Sequence, residues 1–251
     1  MRQNKKVIET KDHIKQLLTY FGKKKVFTTK DLETYYNIKG GSINRNTLNW
    51  RVYYLVEKGI LTRTGRGQFI VGNGKAFEPE LSPMIKKLDS HLKKSFPFLK
   101  FCIWDTEQIR GLSQHLPSLK LTIVDVERDG TESVFHKLQG KYKNVYLMPD
   151  KEVMDTYVIP SNEPIIVKSL VSEAPLYKVR GITTASIEKI LVDVYFEEEF
   201  VSLHGSEMLH IFTNAFERYP INISKMLRYA GRKRKKSELL IFLISNKLAA
   251  K

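Results

Sequence analysis

Two acidic residues in the second half of the chain have a spacing that catalysis could use. Asp125 and Glu127 lie two positions apart at the end of a predicted strand, and paired carboxylates bind the metal ions of nucleases and nucleotidyltransferases. Residues 77–251 contain no Glu-x-Lys of a restriction-type nuclease, and the Gly-Ser pairs at 41–42 and 205–206 are misplaced for a nucleotidyltransferase. Because both carboxylates alternate with valines, we expect both to face water and predict that the protein is not an enzyme.

Other residue types that often form catalytic or cofactor sites lack the required pattern. The six histidines show no ligand spacing and have no cysteine partners, so no metal site is predicted. The single cysteine, Cys102, lies in an apolar run and is expected in the core. No glycine-rich phosphate loop follows a predicted strand, and we therefore expect no cofactor.

A second set of residues has the chemistry of DNA recognition. Arginine and asparagine side chains form paired hydrogen bonds with base edges, and arginines also contact phosphates. We expect the DNA contacts to come from Thr29, Arg45, Asn46, Asn49, Trp50, Arg51, Arg63 and Arg66. For Trp50 and the nearby Tyr53, packing against a second domain or a partner subunit is an equally good interpretation.

The elements that position these residues have the order of a winged helix. One helix is predicted from a cap at Thr10 to Phe21, and a short second helix from Thr28–Thr29 to Tyr36, followed by a long turn over residues 34–44. A third helix is predicted over residues 44–58, and a strand, a glycine-bearing turn and a strand over residues 60–71.

The third helix is the predicted recognition helix, which contacts the DNA bases. Leu48, Val52, Leu55 and Val56 fall on one face, which leaves the asparagines and arginines for solvent. A single helix fits the major groove, which is about 12 Å wide. The sequence therefore predicts a winged helix-turn-helix DNA-binding domain over residues 1–74.

The sequence of residues 77–251 predicts a mixed α/β domain with a helical C-terminal end. Together with the winged helix, this domain gives the whole chain a predicted α+β fold. The predicted strands are Leu99–Trp104, Leu119–Val126, Asn144–Met148 and Ile165–Val167. The predicted helices are Pro83–Lys94, Glu107–His115, Thr131–Gln139, Lys151–Tyr157, Thr184–Phe196, Glu207–Tyr219, Ile223–Tyr229 and Ser237–Leu248.

The formal net charge of +15 is concentrated at two places. Residues 1–76 hold 16 Lys/Arg and 5 Asp/Glu, a net charge of +11, which favours binding to a polyanion. The second place is a basic segment near the C-terminus that comprises Arg228, Arg232, Lys233, Arg234, Lys235 and Lys236. We interpret this segment as a partner surface or a second nucleic-acid contact, with a solvated turn between helices as the alternative.

The N-terminus lacks the apolar segment of a secretory signal, and no run of residues has the length and apolarity of a membrane span. We therefore expect a cytoplasmic protein.

Several short motifs resemble the AbiE-type abortive-infection antitoxins of type IV toxin–antitoxin systems. In the first domain they are TTKDL at residues 28–32 and LVEKGILTRTGRG at residues 55–67. In the second they are ESVF at 132–135, NVYLMP at 144–149, SEAPL at 172–176, SIEKILVD at 186–193 and ISKMLRYA at 223–230. The motifs are short, and it is their common order along nearly the whole chain that carries the resemblance.

The resemblance implies two functions. The winged helix would bind inverted repeats of double-stranded DNA in the protein's own promoter, as a weak homodimer, and repress transcription. The second domain would counteract a nucleotidyltransferase-like toxin encoded alongside, without a lasting complex. Two alternatives stay open: a winged helix that targets a nuclease or nucleotidyltransferase to DNA, and a transcription regulator whose second domain senses a ligand or oligomerises.

Overall fold

The computed structural model describes residues 11–22, 26–57, 59–72, 77–114 and 120–249. The chain forms two units, one of residues 1–76 with 218–224, the other of residues 77–217 with 225–251. The predicted cap at Thr10, the helix end at Lys58 and the helix end at His115 lie outside the described residues. In the described part of the chain, no helix combines the length and apolarity needed to cross a membrane.

The described residues between 11 and 72 form three helices and a small antiparallel sheet. The sheet order is β1-β3-β2, and the helices close over it with a core that includes Leu17, Phe27, Leu48 and Phe69. The elements are α1 (Lys11–Phe21), β1 (Phe27–Thr28), α2 (Thr29–Gly40), α3 (Arg45–Glu57), β2 (Leu61–Gly65) and β3 (Gln68–Val71).

Helix α2 is longer than the sequence predicts. Thr28 caps its start, since the hydroxyl accepts from the Asp31 amide while the Asp31 carboxylate accepts from the Thr28 amide. The helix continues beyond Tyr36 to Gly40, so the predicted long turn over residues 34–44 is wrong. Gly41, at φ 79°, ends it, and the Asn37 side chain accepts from the Ile43 amide at 2.8 Å.

The C-terminal unit is built on a four-stranded mixed sheet of order β4-β5-β7-β6. Strands β5, β7 and β6 are parallel, and β4 is antiparallel to β5. The strands are β4 (Phe101–Asp105), β5 (Thr122–Val126), β6 (Val145–Leu147) and β7 (Ile165–Ser169), and a separate hairpin pairs β8 (Leu176–Val179) with β9 (Ile182–Ala185).

The described α-helices that lie wholly or mainly in this unit are α4 (Pro83–Ser95), α5 (Thr131–Gln139), α6 (Lys151–Val153), α7 (Ile187–Phe196), α8 (Ser206–Arg218), α9 (Ile223–Arg232) and α10 (Lys236–Ser245). A π-helical turn, Met154–Val158, continues α6, and 3₁₀ segments cover Thr106–Leu112, Arg128–Gly130 and Glu198–Leu203.

Two parts of this unit differ from the sequence-based expectation. The β8–β9 hairpin was not predicted, and the helix predicted from Thr184 begins at Ile187 because Thr184 and Ala185 belong to β9. The helix predicted from Glu107 is a 3₁₀ segment that ends at Leu112.

The two faces of the sheet differ in chemistry. One face forms an apolar core with α4 and α5, through residues such as Leu88, Val124, Leu138 and Val167. On the opposite face, Asp125 is the cross-strand neighbour of Cys102 on β4 and of Lys168 on β7. This polar strip lies under α7, whose residues Ile187–Val194 are all buried.

Candidate nucleic-acid interface

Helix α3 divides into a buried face and a solvent face, as the sequence predicts. Leu48, Val52 and Leu55 are buried in the core of the N-terminal unit. Arg45, Asn46 and Asn49 are exposed on the other side. Asn44 stabilises the helix start, because its side-chain oxygen accepts from the Asn46 amide at 2.7 Å. The helix therefore presents two amides and a guanidinium on a fixed backbone.

Two aromatic residues extend this solvent face. Trp50 is 39% exposed and stacks on Tyr54, with ring centroids 5.8 Å apart and an interplanar angle of 14°. Tyr53 is 64% exposed. The stack packs Trp50 against a residue of its own helix, while part of the side chain remains exposed.

Two of the predicted DNA-contacting residues have structural roles inside the unit. The Arg51 guanidinium lies over the Tyr36 ring, 4.6 Å from its centroid, and the residue is half-buried. The Thr29 amide donates to the Gly67 carbonyl at 2.8 Å, which ties the start of α2 to the hairpin turn. Arg51 and Thr29 therefore position the surface.

The β2–β3 hairpin carries the other two predicted arginines. Arg66 and Gly67 form its turn, and both Arg63 and Arg66 are exposed. Gly67 has φ 68°, a left-handed conformation that favours glycine. The hairpin thus displays two guanidinium groups, one of them at its tip.

The basic segment near the C-terminus is less free than the sequence suggests. Arg232 is paired with Glu173, and Lys235 with Glu238 at 3.1 Å. Lys233 is half-buried and donates to Glu197 and, at 3.0 Å, to Asp193. Carboxylates of the same unit therefore engage these three residues, of which Lys233 is half-buried while Arg232 and Lys235 stay exposed, and the interpretation of the segment as a partner surface stays a prediction.

Three other basic residues of this segment remain available for contact with a partner. In the described part of the chain Arg228, Arg234 and Lys236 are exposed and form no ion pair.

The expectation that Asp125 faces water is also wrong. Asp125 is 3% exposed, and its carboxylate accepts from the Lys189 ammonium at 2.7 Å. Lys189 also donates to Asp193 at 2.5 Å, and Tyr229 donates to the other Asp193 oxygen at 2.9 Å. Glu127, half-buried, accepts from the Lys100 amide at 3.1 Å.

Further ion pairs continue this cluster toward the surface. Lys168 lies 3.0 Å from Glu197 and 2.7 Å from Glu199, and Glu197 in turn contacts Lys233. We call the seven charged residues the buried ion-pair network, and its members are Asp125, Lys168, Lys189, Asp193, Glu197, Glu199 and Lys233.

The network favours the charged forms of Asp193 and Lys189. Burial raises the pKa of Asp193, but the charges of Lys189 and Lys233 outweigh burial, and the pKa lies well below its ordinary value. Burial lowers the pKa of Lys189, yet Asp125 and Asp193 raise it above its ordinary value. These groups are therefore satisfied by one another, and no carboxylate pair is left at Asp125 and Glu127 to bind a metal ion. Within the described ranges, no group of three or more His, Cys, Asp or Glu side chains has the arrangement of a metal site.

The sequence analysis did not identify the other members of this network. Helix α7 carries Lys189 and Asp193 four positions apart in an otherwise apolar stretch, and this spacing was the available signal.

Comparison with known proteins assigns the chain to one family. The family described as "Family of unknown function (DUF6577)" matches residues 47–249, from within α3 to beyond α10. No curated protein matches the chain.

Proposed function

The chain belongs to the DUF6577 family, and we propose that it is a DNA-binding transcriptional repressor whose N-terminal unit is a winged-helix domain. The observation that carries this proposal is the solvent face of α3, where Arg45, Asn46 and Asn49 are exposed side by side. Asparagine pairs with the N6 and N7 edge of adenine, and arginine with the O6 and N7 edge of guanine.

In this proposal α3 lies in the major groove and the β2–β3 hairpin lies beside it. The core on the far side of α3 fixes the helix, so that base contacts need little rearrangement. Arg63 and Arg66 contact phosphates or the minor groove, and Trp50 offers apolar contact with sugars or a thymine methyl group.

The charge of residues 1–76 supports the same proposal. Their net charge of +11 supplies the attraction to phosphate that is independent of base sequence. The base contacts of α3 then select the operator, which we propose, from the resemblance to AbiE-type antitoxins, to be inverted repeats in the protein's own promoter bound by two copies.

Fluorescence anisotropy with a duplex from the protein's own upstream region tests the DNA-binding function. Asn49→Ala is expected to weaken binding to that duplex by about tenfold or more, and to leave binding to a scrambled duplex nearly unchanged. Asn162→Ala, at an exposed asparagine of the C-terminal unit, is the matched control. Equal affinity of the unmodified protein for the two duplexes would contradict base-specific recognition.

We further propose that the C-terminal unit counteracts a nucleotidyltransferase-like toxin encoded beside it. This part of the proposal rests on the resemblance of its ordered motifs to the antitoxin family. Since Arg232, Lys233 and Lys235 are engaged with carboxylates, the surface for this function comprises Arg228, Arg234 and Lys236.

Co-expression with the neighbouring gene tests the antitoxin function. The double variant Arg228→Glu, Lys236→Glu is expected to lose rescue of growth and to keep binding to the upstream duplex. Lys151→Glu, Lys178→Glu reverses two exposed charges elsewhere in the same unit and serves as the control. Full rescue by the first double variant would remove the proposed surface.

A further inference from the structure

A cleft of about 510 Å³ opens in the C-terminal unit at the edge of the sheet where β4 ends and β5 begins. Its lining includes Leu81, which precedes α4, Met84 in the first turn of α4, and Asp105 and Thr122. Asp105 and Thr122 are direct neighbours across the two strands. The volume lies within the range of about 300–1,000 Å³ that is usual for small-molecule sites.

The cleft is acidic in a chain whose net charge is +15. Six charged residues line it, namely Glu80, Lys87, Asp105, Glu107, Lys120 and Glu163. Glu107 is paired with Arg110 at 2.5 Å, and Lys120 lies 3.9 Å from Glu163. In the described part of the chain, the carboxylates of Glu80 and Asp105 form no ion pair.

One carboxylate oxygen of Asp105, in the lining of this cleft, lacks a hydrogen-bond partner. The residue is 3% exposed, and its Oδ1 has no hydrogen-bond partner among the described residues. Burial raises the pKa of Asp105, although the Ser82 hydroxyl and the amides of Gln108 and Glu107 lower it in part. A buried carboxylate oxygen without a donor is costly, and it becomes favourable when a bound group supplies an N–H.

We propose that this cleft binds a small organic cation, through an ammonium or guanidinium group that donates to Asp105. A charged N–H donor satisfies the buried oxygen and forms the stronger, charge-assisted type of hydrogen bond. Glu80, an exposed residue of the same lining, adds a second negative charge, and Leu81 and Met84 cover the apolar part of the ligand.

A metal ion fits this site less well than an organic cation. No cluster of three or more His, Cys, Asp or Glu side chains within the described ranges suits a metal ion, and Asp105 is the buried acid of this cleft. Lys87 and Lys120 would also repel a compact divalent ion, whereas an extended ligand can direct its cationic end toward Asp105 alone.

Calorimetric titration of the full chain with butylguanidinium tests this inference, with butylurea as a probe of similar shape and no charge. Butylguanidinium is expected to bind with a dissociation constant of about millimolar order, as for a ligand of its size, and at least about tenfold more tightly than butylurea. Backbone amide NMR shifts should be centred on residues 80–87 and 105–107. Equal binding of the two probes, or shifts centred elsewhere, would overturn the proposal.

The variant Asp105→Asn distinguishes the contribution of the carboxylate to binding from that of the shape of the cleft. We expect this variant to lose at least about tenfold in butylguanidinium affinity while its thermal stability stays the same or rises, because a buried charge has been removed. Glu152→Gln, at an exposed carboxylate on α6, should bind as the unmodified protein does. If Asp105→Asn binds butylguanidinium unchanged, Asp105 does not form the site. DNA affinity is measured in parallel, and its retention in both variants shows that this result is independent of the proposed repressor function.

Discussion

The Lys189 ammonium lies between two carboxylates in the interior of the C-terminal unit, 2.7 Å from Asp125 and 2.5 Å from Asp193. Its side chain is 1% exposed, and it also lies 5.5 Å from the centroid of the Trp104 ring. An ion pair in such surroundings contributes little net stability by itself, because both partners lose their hydration. Removal of one partner is a different case, since the opposite charges then stay buried without compensation.

Lys189→Met is therefore expected to destabilise the C-terminal unit by about 3–5 kcal/mol. Chemical denaturation followed by circular dichroism measures the change in the free energy of unfolding. Lys178→Met, at an exposed position on β8, provides the matched control and should change stability by less than about 0.5 kcal/mol. A loss of less than about 1 kcal/mol for Lys189→Met would contradict the role of Lys189 in compensating these buried carboxylates.

Glu197 makes the stability of the C-terminal unit depend on pH in the acid range. Burial raises the pKa of Glu197, but the charges of Lys168 and Lys233 outweigh burial, and the pKa is lowered. A carboxyl whose folded pKa is depressed contributes stability above its unfolded pKa, about 4.3, and that contribution is lost as the pH falls through the folded value.

In Glu197→Gln we expect a smaller loss of stability between about pH 7 and pH 3 than in the unmodified protein, because this carboxyl no longer takes up a proton. Urea unfolding at the two pH values measures the difference, with Glu152→Gln as the control at an exposed carboxyl. An unchanged pH dependence would contradict a charged Glu197 in the folded state.

At the residue scale, the sequence identified exposed groups better than buried ones. The exposure of Arg45, Asn46 and Asn49 follows from helical periodicity alone, and the structure agrees with it. The burial of Asp125 does not follow from strand alternation, because its partner Lys189 is 64 residues away in the sequence. Periodicity shows which face a residue occupies, but not whether a distant element covers that face.

At the scale of elements, the β2–β3 hairpin depends on one glycine. Gly67 has φ 68°, and a Cβ atom there would lie 3.1 Å from the Thr29 hydroxyl oxygen. Its carbonyl also accepts from the Thr29 amide. The turn that displays Arg66 is thus tied to the beginning of α2.

Gly67→Ala is expected to lower stability by about 1–2 kcal/mol, since an L-residue is strained in the left-handed region. It should also weaken DNA binding, because Arg66 is displaced. Gly40→Ala is the matched control: a Cβ there meets nothing within 4 Å, and in a helix alanine is favoured by about 0.5–1 kcal/mol. Thermal unfolding measures both changes. Equal stability of the two variants would contradict the role given to Gly67.

The element predictions were accurate for some elements and missed others. Helix α5 has the predicted bounds Thr131–Gln139, and α3 lies within one residue of its predicted start. The β8–β9 hairpin was missed because its strands have four residues each and its turn is Arg180-Gly181. Both turn residues have positive φ, 48° and 84°, and arginine gives little signal for that conformation.

At the scale of the whole molecule, charge is distributed differently in the two parts of the chain. Residues 1–76 have an excess of positive charge, whereas residues 77–251 hold 26 Lys/Arg and 22 Asp/Glu. Many of the charged side chains in residues 77–251 form ion pairs, as in the buried ion-pair network. In the proposed function, the long-range attraction to DNA therefore comes mainly from the N-terminal residues, and we expect it to be sensitive to salt.

The most direct test is the salt dependence of binding to the upstream duplex, measured for the full chain between about 50 and 200 mM salt. Arg66→Ala is expected to reduce the slope of log K against log salt concentration by about one unit, as one phosphate contact is lost. Lys178→Ala should leave the slope unchanged. Absence of binding at the lowest salt concentration, or an identical slope in Arg66→Ala, would contradict a DNA-binding surface formed by α3 and the β2–β3 hairpin.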